Sequence, residues 1–173
     1  RRLAAAGGAH ANILFYTLNG LARRLAADPL ALEGKAPLPE FCAELALTRA
    51  LHEAAGELEY FAPVAAKRGF QSAMLATCRE LKNARLAPDE LTRAVRGIAP
   101  RDLLRRKLND VSRLWRSLES AKSERGFYDE ADLLERAAHE AAGGWMNGLA
   151  RLAVYGLYDF NSAQAHFLAA CCE

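Results

Sequence analysis

The segment from Pro100 to Glu124 constrains the fold most, because its apolar side chains recur at helical spacing along its whole length. At spacings of 4, 3, 4 and 3 positions these side chains are Leu104, Leu108, Val111, Trp115 and Leu118. That spacing places them on one side of an α-helix. Most of the stability of an amphipathic helix in a protein comes from the packing of its apolar face. The segment therefore predicts a long amphipathic helix that packs against other helices.

The same helix carries a second stripe that is polar and basic. Its members are Arg106, Asn109, Arg113, Arg116 and Ser120, with Arg105 beside them. Residues 61–125 hold 15 basic and 7 acidic side chains, whereas the whole chain has a net charge of only +2. A concentration of positive charge is typical of a surface that faces an anionic partner, and equally of a solvated helix face. Both interpretations remain open on the sequence alone.

The remaining segments predict a mainly α fold with a small parallel β element near the chain ends. Residues 11–17 and 152–159 are short and apolar, as buried parallel strands are, and a helix follows each of them. Between these units, the expected helices are 39–56, 71–85, one from Pro88 that stops at Gly97, 100–124, and one after Gly126 that is closed by Gly143 and Gly144. We expect a strand–helix unit at 1–28, a helical insertion at 29–144 and a second strand–helix unit at 145–173.

Composition places the chain among globular proteins. Its 173 residues contain no apolar run of the roughly 18 residues that a membrane span needs. We therefore expect a soluble, cytoplasmic protein that does not bind membranes, and the missing initiator Met suggests a piece excised from a larger one. Four cysteines without CxxC spacing are Cys42, Cys78, Cys171 and Cys172. They predict buried, reduced thiols rather than a metal site.

Motifs for catalysis are not recognisable in the sequence. The pentapeptide HEAAG occurs at His52 and again at His139, but Gly56 and Gly143 stand where a zinc protease needs its second histidine. No GxxxxGK[ST] loop is present to hold a nucleoside triphosphate. We expect neither catalytic residues, nor a metal site, nor a cofactor in this chain.

Three stretches, in this order, resemble superfamily 1 helicases of the UvrD type. ILFYTLNGLARRL resembles the strand that ends in Thr-Phe-His, with Thr17 in place and Asn19 instead of His. RGFYDEADLLERA resembles the Asp-Phe-x-Asp-Leu-Leu turn, and LAVYGLYDFNSAQ resembles the strand Asp-Glu-Phe-Gln-Asp-Thr, on which Asp159 and Gln164 match. The three stretches lie between residues 13 and 164, so the resemblance extends along nearly the whole chain. It implies the first helicase domain with its helical insertion.

The departures from that pattern are as informative as the matches. Active helicases use an acidic pair to hold Mg²⁺ and to polarise water, and Tyr155 and Gly156 occupy those two positions here. The strand therefore resembles a degenerate Walker B strand, and we expect no ATPase activity. Tyr-Gly-x-Tyr-Asp-Phe resembles the non-motor half of AddB-type subunits of bacterial helicase–nucleases. That resemblance implies DNA binding and scanning in recombinational double-strand-break repair, beside a motor and nuclease partner subunit.

On this interpretation the residues that contact nucleic acid are Thr17, Asn19, Arg105, Arg106, Arg113 and Arg116. The competing interpretation is a helical protein-interaction module whose basic helix docks an acidic partner. In that case Asn161 simply caps a helix, while Tyr155 and Tyr158 belong to a core or an interface.

Overall fold

Helices dominate the part of the chain that the computed structural model describes, namely residues 13–143, 146, 148–149 and 151–172. The helices are α1 (Leu18–Leu32), α2 (Glu40–Glu53), α3 (Arg68–Asn83), α4 (Pro88–Val95), α5 (Leu103–Glu124), α6 (Glu130–Ala141) and α7 (Ser162–Ala170). Two strands, β1 (Ala36–Pro37) and β2 (Phe127–Tyr128), pair in parallel. The predicted mainly α fold with a small parallel β element is confirmed.

The predicted positions of the two strands are wrong. Residues 13–17 and 151–161 form no ladder among the described residues, and residues 11 and 12 lie outside them. Apolar side chains here are exposed, by 81% for Phe15, 83% for Tyr155 and 92% for Tyr158. A strand needs a neighbour that satisfies its backbone N–H and C=O groups. An apolar pattern identifies a segment suited to a sheet, but it does not identify that neighbour.

The strands that do pair join two connections distant in sequence. Ala36 donates its N–H to the carbonyl of Gly126 at 2.8 Å, and Leu38 donates to that of Tyr128 at 2.8 Å. The pair ties the α1–α2 connection to the α5–α6 connection. Strands of two residues are too short to leave an alternating pattern in the sequence, so periodicity does not reveal them.

Helices α1, α6 and α7 enclose one hydrophobic core. Its buried residues come from all three helices: Leu21, Ala22, Leu25, Ala26, Leu30, Leu133, Leu134, Ala137, Ala138, Ala141, Ala163 and Phe167. Three of the α6 residues in this core are alanines, whose small side chains let neighbouring helices approach closely. Helix α6 thus packs with α1 and α7, although we placed it with the insertion; the predicted division of the chain stays a prediction.

A second core lies between α2, α3 and α5, with the loop after α2. Its buried residues are Leu47, Ala50, Leu51, Ala54, Leu58, Met74, Cys78, Val111, Leu114, Trp115 and Leu118. The apolar stripe of α5 is therefore confirmed over Val111, Trp115 and Leu118. Leu104 is 50% exposed, because the first turn of α5 extends beyond this core.

Helix boundaries follow the predictions to within a few residues, and several ends differ. Helix α1 continues through Pro29 to Leu32, since burial of Leu30 holds its last turn despite the lost hydrogen bond. Helix α3 begins at Arg68 rather than at Gln71. Helix α6 ends at Ala141, so the predicted C-cap Gly143 follows two residues later, while Gly144 lies outside the described residues. No helix among those described is long and apolar enough to cross a membrane.

The four cysteines are free thiols, as predicted, but they differ in burial. Cys78 is buried, Cys42 and Cys171 are half-buried, and Cys172 is exposed. Burial raises the pKa of Cys78 to about 12. Burial also raises the pKa of Cys171 to about 11, with a smaller contribution from Cys172. The expectation of uniformly buried thiols is therefore met in full only by Cys78.

Candidate nucleic-acid interface

The three predicted arginines of the α5 stripe lie at the surface, and each is paired with an acid. Arg106 Nε lies 3.4 Å from Glu59 Oε2, and Arg113 forms an ion pair with Glu57. Their side chains are each 46% exposed. Both partners belong to the loop between α2 and α3, so the two arginines hold that loop against α5.

Arg116 has the corresponding role toward α4. Its Nη2 donates to Asp89 Oδ1 at 2.8 Å and to Thr92 Oγ1 at 2.9 Å. Thr92 in turn shares a 2.6 Å hydrogen bond with the buried Ser112 of α5. The positive charge of the stripe is thus partly neutralised by acidic side chains of the same chain. Because exposed ion pairs contribute little free energy, a phosphate could still compete for these guanidinium groups.

Asp110 is a buried residue next to these arginines on α5, and sequence reasoning missed it. It is 2% exposed. Its carboxylate accepts backbone hydrogen bonds from Glu59 at 3.2 Å, Tyr60 at 2.8 Å and Phe61 at 3.0 Å. Three converging N–H groups form a site for a negative charge. The signal in the sequence is an acidic residue immediately before Val111, on the margin of the apolar stripe of a basic helix.

Arg105 points away from the stripe. Its Nη1 donates to the carbonyl of Ile98 at 2.9 Å and its side chain is half-buried. Ile98 lies in the connection between α4 and α5. Arg105 therefore holds that connection against the first turn of α5, and no ion pair joins it to a carboxylate among the described residues.

Thr17 and Asn19, the predicted contacts before and within α1, also have structural partners. Thr17 is the N-cap of α1 and accepts from the N–H of Gly20 at 3.0 Å. Asn19 donates from Nδ2 to Glu130 Oε1 at 2.8 Å, which links α1 to the start of α6. Asn19 Oδ1 is buried and has no hydrogen-bond partner within the described residues. Both side chains are thereby fixed in position.

The segment that resembles a degenerate Walker B strand lies in the irregular stretch before α7. Tyr155 is 83% exposed, and Gly156 adopts a left-handed backbone with φ of 77°. Asp159 is exposed in the same stretch. Asn161 caps α7 as expected, accepting from the N–H of Gln164, while Gln164 Oε1 accepts from the N–H of Asn161. Gln164 thus serves a capping box.

A cluster of five charged residues, which we call the ion cluster, lies between the two cores. It contains Lys82 of α3, Glu119 and Lys122 of α5, Asp129 before α6, and Asp132 of α6. Lys122 Nζ lies 2.6 Å from Glu119, 2.7 Å from Asp129 and 2.8 Å from Asp132. Lys82 Nζ reaches the same three acids within 3.0 Å. Asp129 and Asp132 also form the capping box of α6.

The lysines and aspartates of the ion cluster keep each other charged, although burial favours their neutral forms. Burial alone would lower the pKa of Lys122, but Asp129 and Asp132 outweigh it and raise that pKa well above its ordinary value. Burial would likewise raise the pKa of Asp129, yet Lys82 and Lys122 hold it well below its ordinary range. The three carboxylates lie close enough together to hold a metal ion. Two ammonium groups already supply the positive charge there.

Two comparisons with known proteins identify the family of this chain. Residues 7–172 match the family model described as ADDB, N-terminal. Over 126 residues, or 70% of the chain, the sequence is 32% identical to a protein of Desulforamulus reducens that is named as a subunit of an ATP-dependent helicase/deoxyribonuclease. The chain spans 11% of that relative's length. Since the family model covers nearly all of the sequence, the chain belongs to the AddB N-terminal family.

Proposed function

We propose that this chain is a non-catalytic, DNA-binding part of an AddB-type helicase–nuclease subunit that acts in DNA repair. Membership of the AddB N-terminal family carries the proposal. The relative's name, that of a helicase/deoxyribonuclease subunit, favours DNA as the substrate and a partner subunit as the motor. The excess of basic side chains over residues 61–125 supports the same assignment.

The proposal includes the loss of motor chemistry. Tyr155 and Gly156 replace the acidic pair that the resemblance to UvrD-type helicases would require, and the exposed Asp159 stands without a second carboxylate beside it in the sequence. A tyrosine hydroxyl and a glycine do not bind Mg²⁺ or orient water as two carboxylates do. We therefore expect no nucleotide hydrolysis by the chain when Mg²⁺ and ATP are supplied.

The alternative, a module that docks an acidic protein through α5, draws on the same positive charge. A titration with labelled single-stranded and duplex oligonucleotides of several lengths separates the two. Binding to DNA should weaken steeply with salt, with a slope of roughly −0.7 per phosphate contacted on single strands, and should depend little on sequence. Weak affinity that is independent of oligonucleotide length would contradict the DNA-binding proposal.

A further inference from the structure

Positive charge without an acidic partner is concentrated where α4 meets α5. Residues 93–107 hold six basic side chains and one acid, Asp102. Asp102 is the N-cap of α5, and its carboxylate accepts from the N–H of Leu104 at 2.8 Å. Arg96, Arg101 and Lys107 are exposed, and no ion pair joins any of them to a carboxylate among the described residues. We call these three residues the turn patch.

The turn patch has no acidic partners among the described residues, whereas the arginines of the stripe along α5 do. Arg106, Arg113 and Arg116 face Glu59, Glu57 and Asp89, respectively. A phosphate that binds the stripe has to displace a carboxylate. A phosphate that binds the turn patch displaces only water and counterions. The patch is therefore the better anion site, although sequence periodicity selects the stripe.

Short-range hydrogen bonds brace the connection that carries Arg96 and Arg101. Successive short-range hydrogen bonds run from Gly97 to Ala94, from Ile98 to Val95 and from Asp102 to Ala99, with N···O distances of 3.2, 3.0 and 3.0 Å. Val95 is 2% exposed and anchors the end of α4. Arg105 adds its hydrogen bond to the Ile98 carbonyl. Ordering this connection therefore costs little free energy when a ligand binds.

Apolar side chains lie beside these charges. Leu103 is 64% exposed and Leu104 is 50% exposed. Lys107 follows them by four and three positions, which places it on the same side of the first turns of α5. Cations next to exposed apolar side chains suit a chain of phosphates whose sugars and bases offer apolar surface. An acidic protein would also be attracted, but family membership favours nucleic acid.

We infer that the turn patch binds the phosphate backbone of DNA, with Arg96, Arg101 and Lys107 as the contacting cations, Arg105 as the positioning residue and Leu103 and Leu104 against sugars or bases. This inference rests on the proposed DNA-binding function. It moves the main contact away from Arg106, Arg113 and Arg116, whose guanidinium groups are already paired with carboxylates. Single strands and duplexes share this phosphate chemistry, so both are included in the test.

The test compares two triple variants of the full chain by fluorescence titration with a labelled single strand and a labelled duplex of equal length. One variant carries Arg96→Gln, Arg101→Gln and Lys107→Gln. The matched control carries Arg23→Gln, Lys67→Gln and Arg79→Gln, which remove the same charge from exposed residues that form no ion pair in the described part of the chain. Circular dichroism checks that both variants fold.

For the turn-patch variant we expect at least a tenfold loss of affinity at low salt. The slope of log K against log salt should flatten by roughly 2 on single strands, because about 0.7 is lost per phosphate contact. The control variant should keep the affinity within about threefold of the original chain, on the same electrostatic grounds. The single variant Arg101→Gln, in the exposed turn, should lose part of the affinity even if the triple variant folds poorly.

Three outcomes would overturn the inference, and they are distinguishable. If the original chain binds neither oligonucleotide, the proposed DNA-binding function fails and the inference fails with it. If the original chain binds but the turn-patch and control variants lose affinity equally, only the placement of the contact is wrong. If poly-L-glutamate displaces the chain from DNA because it binds more tightly through the same three residues, the patch serves an acidic protein.

Discussion

Asp110 has more influence on the fold than its place in a basic helix suggests. Its carboxylate is buried and accepts three backbone N–H groups from the loop between α2 and α3. The same loop supplies Glu57 and Glu59 to the arginines of α5. One acid therefore positions the two carboxylates that pair with Arg106 and Arg113, and it does so through backbone atoms that no sequence pattern reveals.

Replacing Asp110 with alanine should lower the free energy of unfolding by about 3 kcal/mol, because three partly buried donors lose their acceptor. Urea denaturation followed by circular dichroism measures the change. Asp102→Ala is the matched control, since it removes another aspartate of the same helix that accepts one exposed N–H. Loss of that cap should cost about 1 kcal/mol. Equal effects of the two substitutions would contradict the role assigned to Asp110.

At the scale of elements, helical periodicity predicted most of the fold. Apolar spacing, capping residues and prolines located the helices of the described residues to within a few positions. The strands were misplaced, because β1 and β2 have two residues each and pair although they lie far apart in the sequence. The apolar segments 13–17 and 152–159 suit a sheet, but the partner that would cover Phe15 or Tyr158 is a property of tertiary structure.

The candidate site was predictable only as a helix face. The 3-4 spacing identified Arg106, Arg113 and Arg116 as one surface, and all three side chains are exposed. Their acidic partners come from a loop and from another helix, so the spacing along α5 could not show that these charges are neutralised. The Asp-x-x-Asp pattern of Asp129 and Asp132 at the start of α6 was recognised by resemblance. Its pairing with Lys82 and Lys122 depends on how α3 and α5 pack.

The ion cluster gives the junction of α3, α5 and α6 a definite dependence on pH. Burial would raise the pKa of Asp129, but Lys82 and Lys122 outweigh burial and lower that pKa in the folded chain. A carboxyl group of this kind adds stability above its unfolded pKa of about 3.9, and that stability is lost as the pH falls toward the folded value. The raised pKa of Lys122 adds stability below about pH 10.4, which is lost as the pH rises further.

We therefore expect the free energy of unfolding to fall with decreasing pH below about 4, and Asp129→Asn to flatten that decline. Asparagine can still cap α6, so the substitution removes the charge while keeping the N-cap oxygen. Urea denaturation at a series of pH values measures the slope. Asp89→Asn, whose side chain is 80% exposed, should leave the slope nearly unchanged. An acid slope that persists in Asp129→Asn would assign it to other carboxyl groups.

On the scale of the whole molecule, two hydrophobic cores are connected by few elements. One core belongs to α1, α6 and α7, and the other to α2, α3 and α5. The β1–β2 pair and the ion cluster join them, because Lys82 and Lys122 come from one side and Asp129 and Asp132 from the other. Lys122 is 6% exposed, so its charge is satisfied almost entirely by the acids of the ion cluster.

The close approach at Gly126 reinforces the same junction. Gly126 has a φ of 66°, and a Cβ atom there would lie 3.0 Å from the carbonyl oxygen of Gly34. Gly34 itself has a φ of 72°. The two glycines allow the connections that lead into the two strands to touch, and a positive φ favours glycine because it has no Cβ atom. The cores therefore meet at a backbone contact between two connections, at a charge cluster formed mainly by helical residues, and where α3 contacts α7.

Lys122→Met should weaken the coupling between the cores, because it leaves Asp129 and Asp132 with Lys82 alone while methionine keeps a similar side-chain volume. Removing one member of a buried ion pair costs roughly 3 kcal/mol. The consequence should be visible in how the two cores unfold, since a weakened junction lets one core lose its structure before the other. Two probes that report different parts of the molecule can detect that separation.

In a Trp145→Phe background, Trp115 remains the one tryptophan and reports the core of α2, α3 and α5 by fluorescence, whereas far-ultraviolet circular dichroism reports all helices. The two urea transitions should coincide in the background protein and separate in Lys122→Met. Lys35→Met, which removes an exposed ion pair with Glu33, is the control and should leave them coincident. Transitions that remain superimposed in Lys122→Met would mean that packing and the strand pair, rather than the ion cluster, make the two cores unfold together.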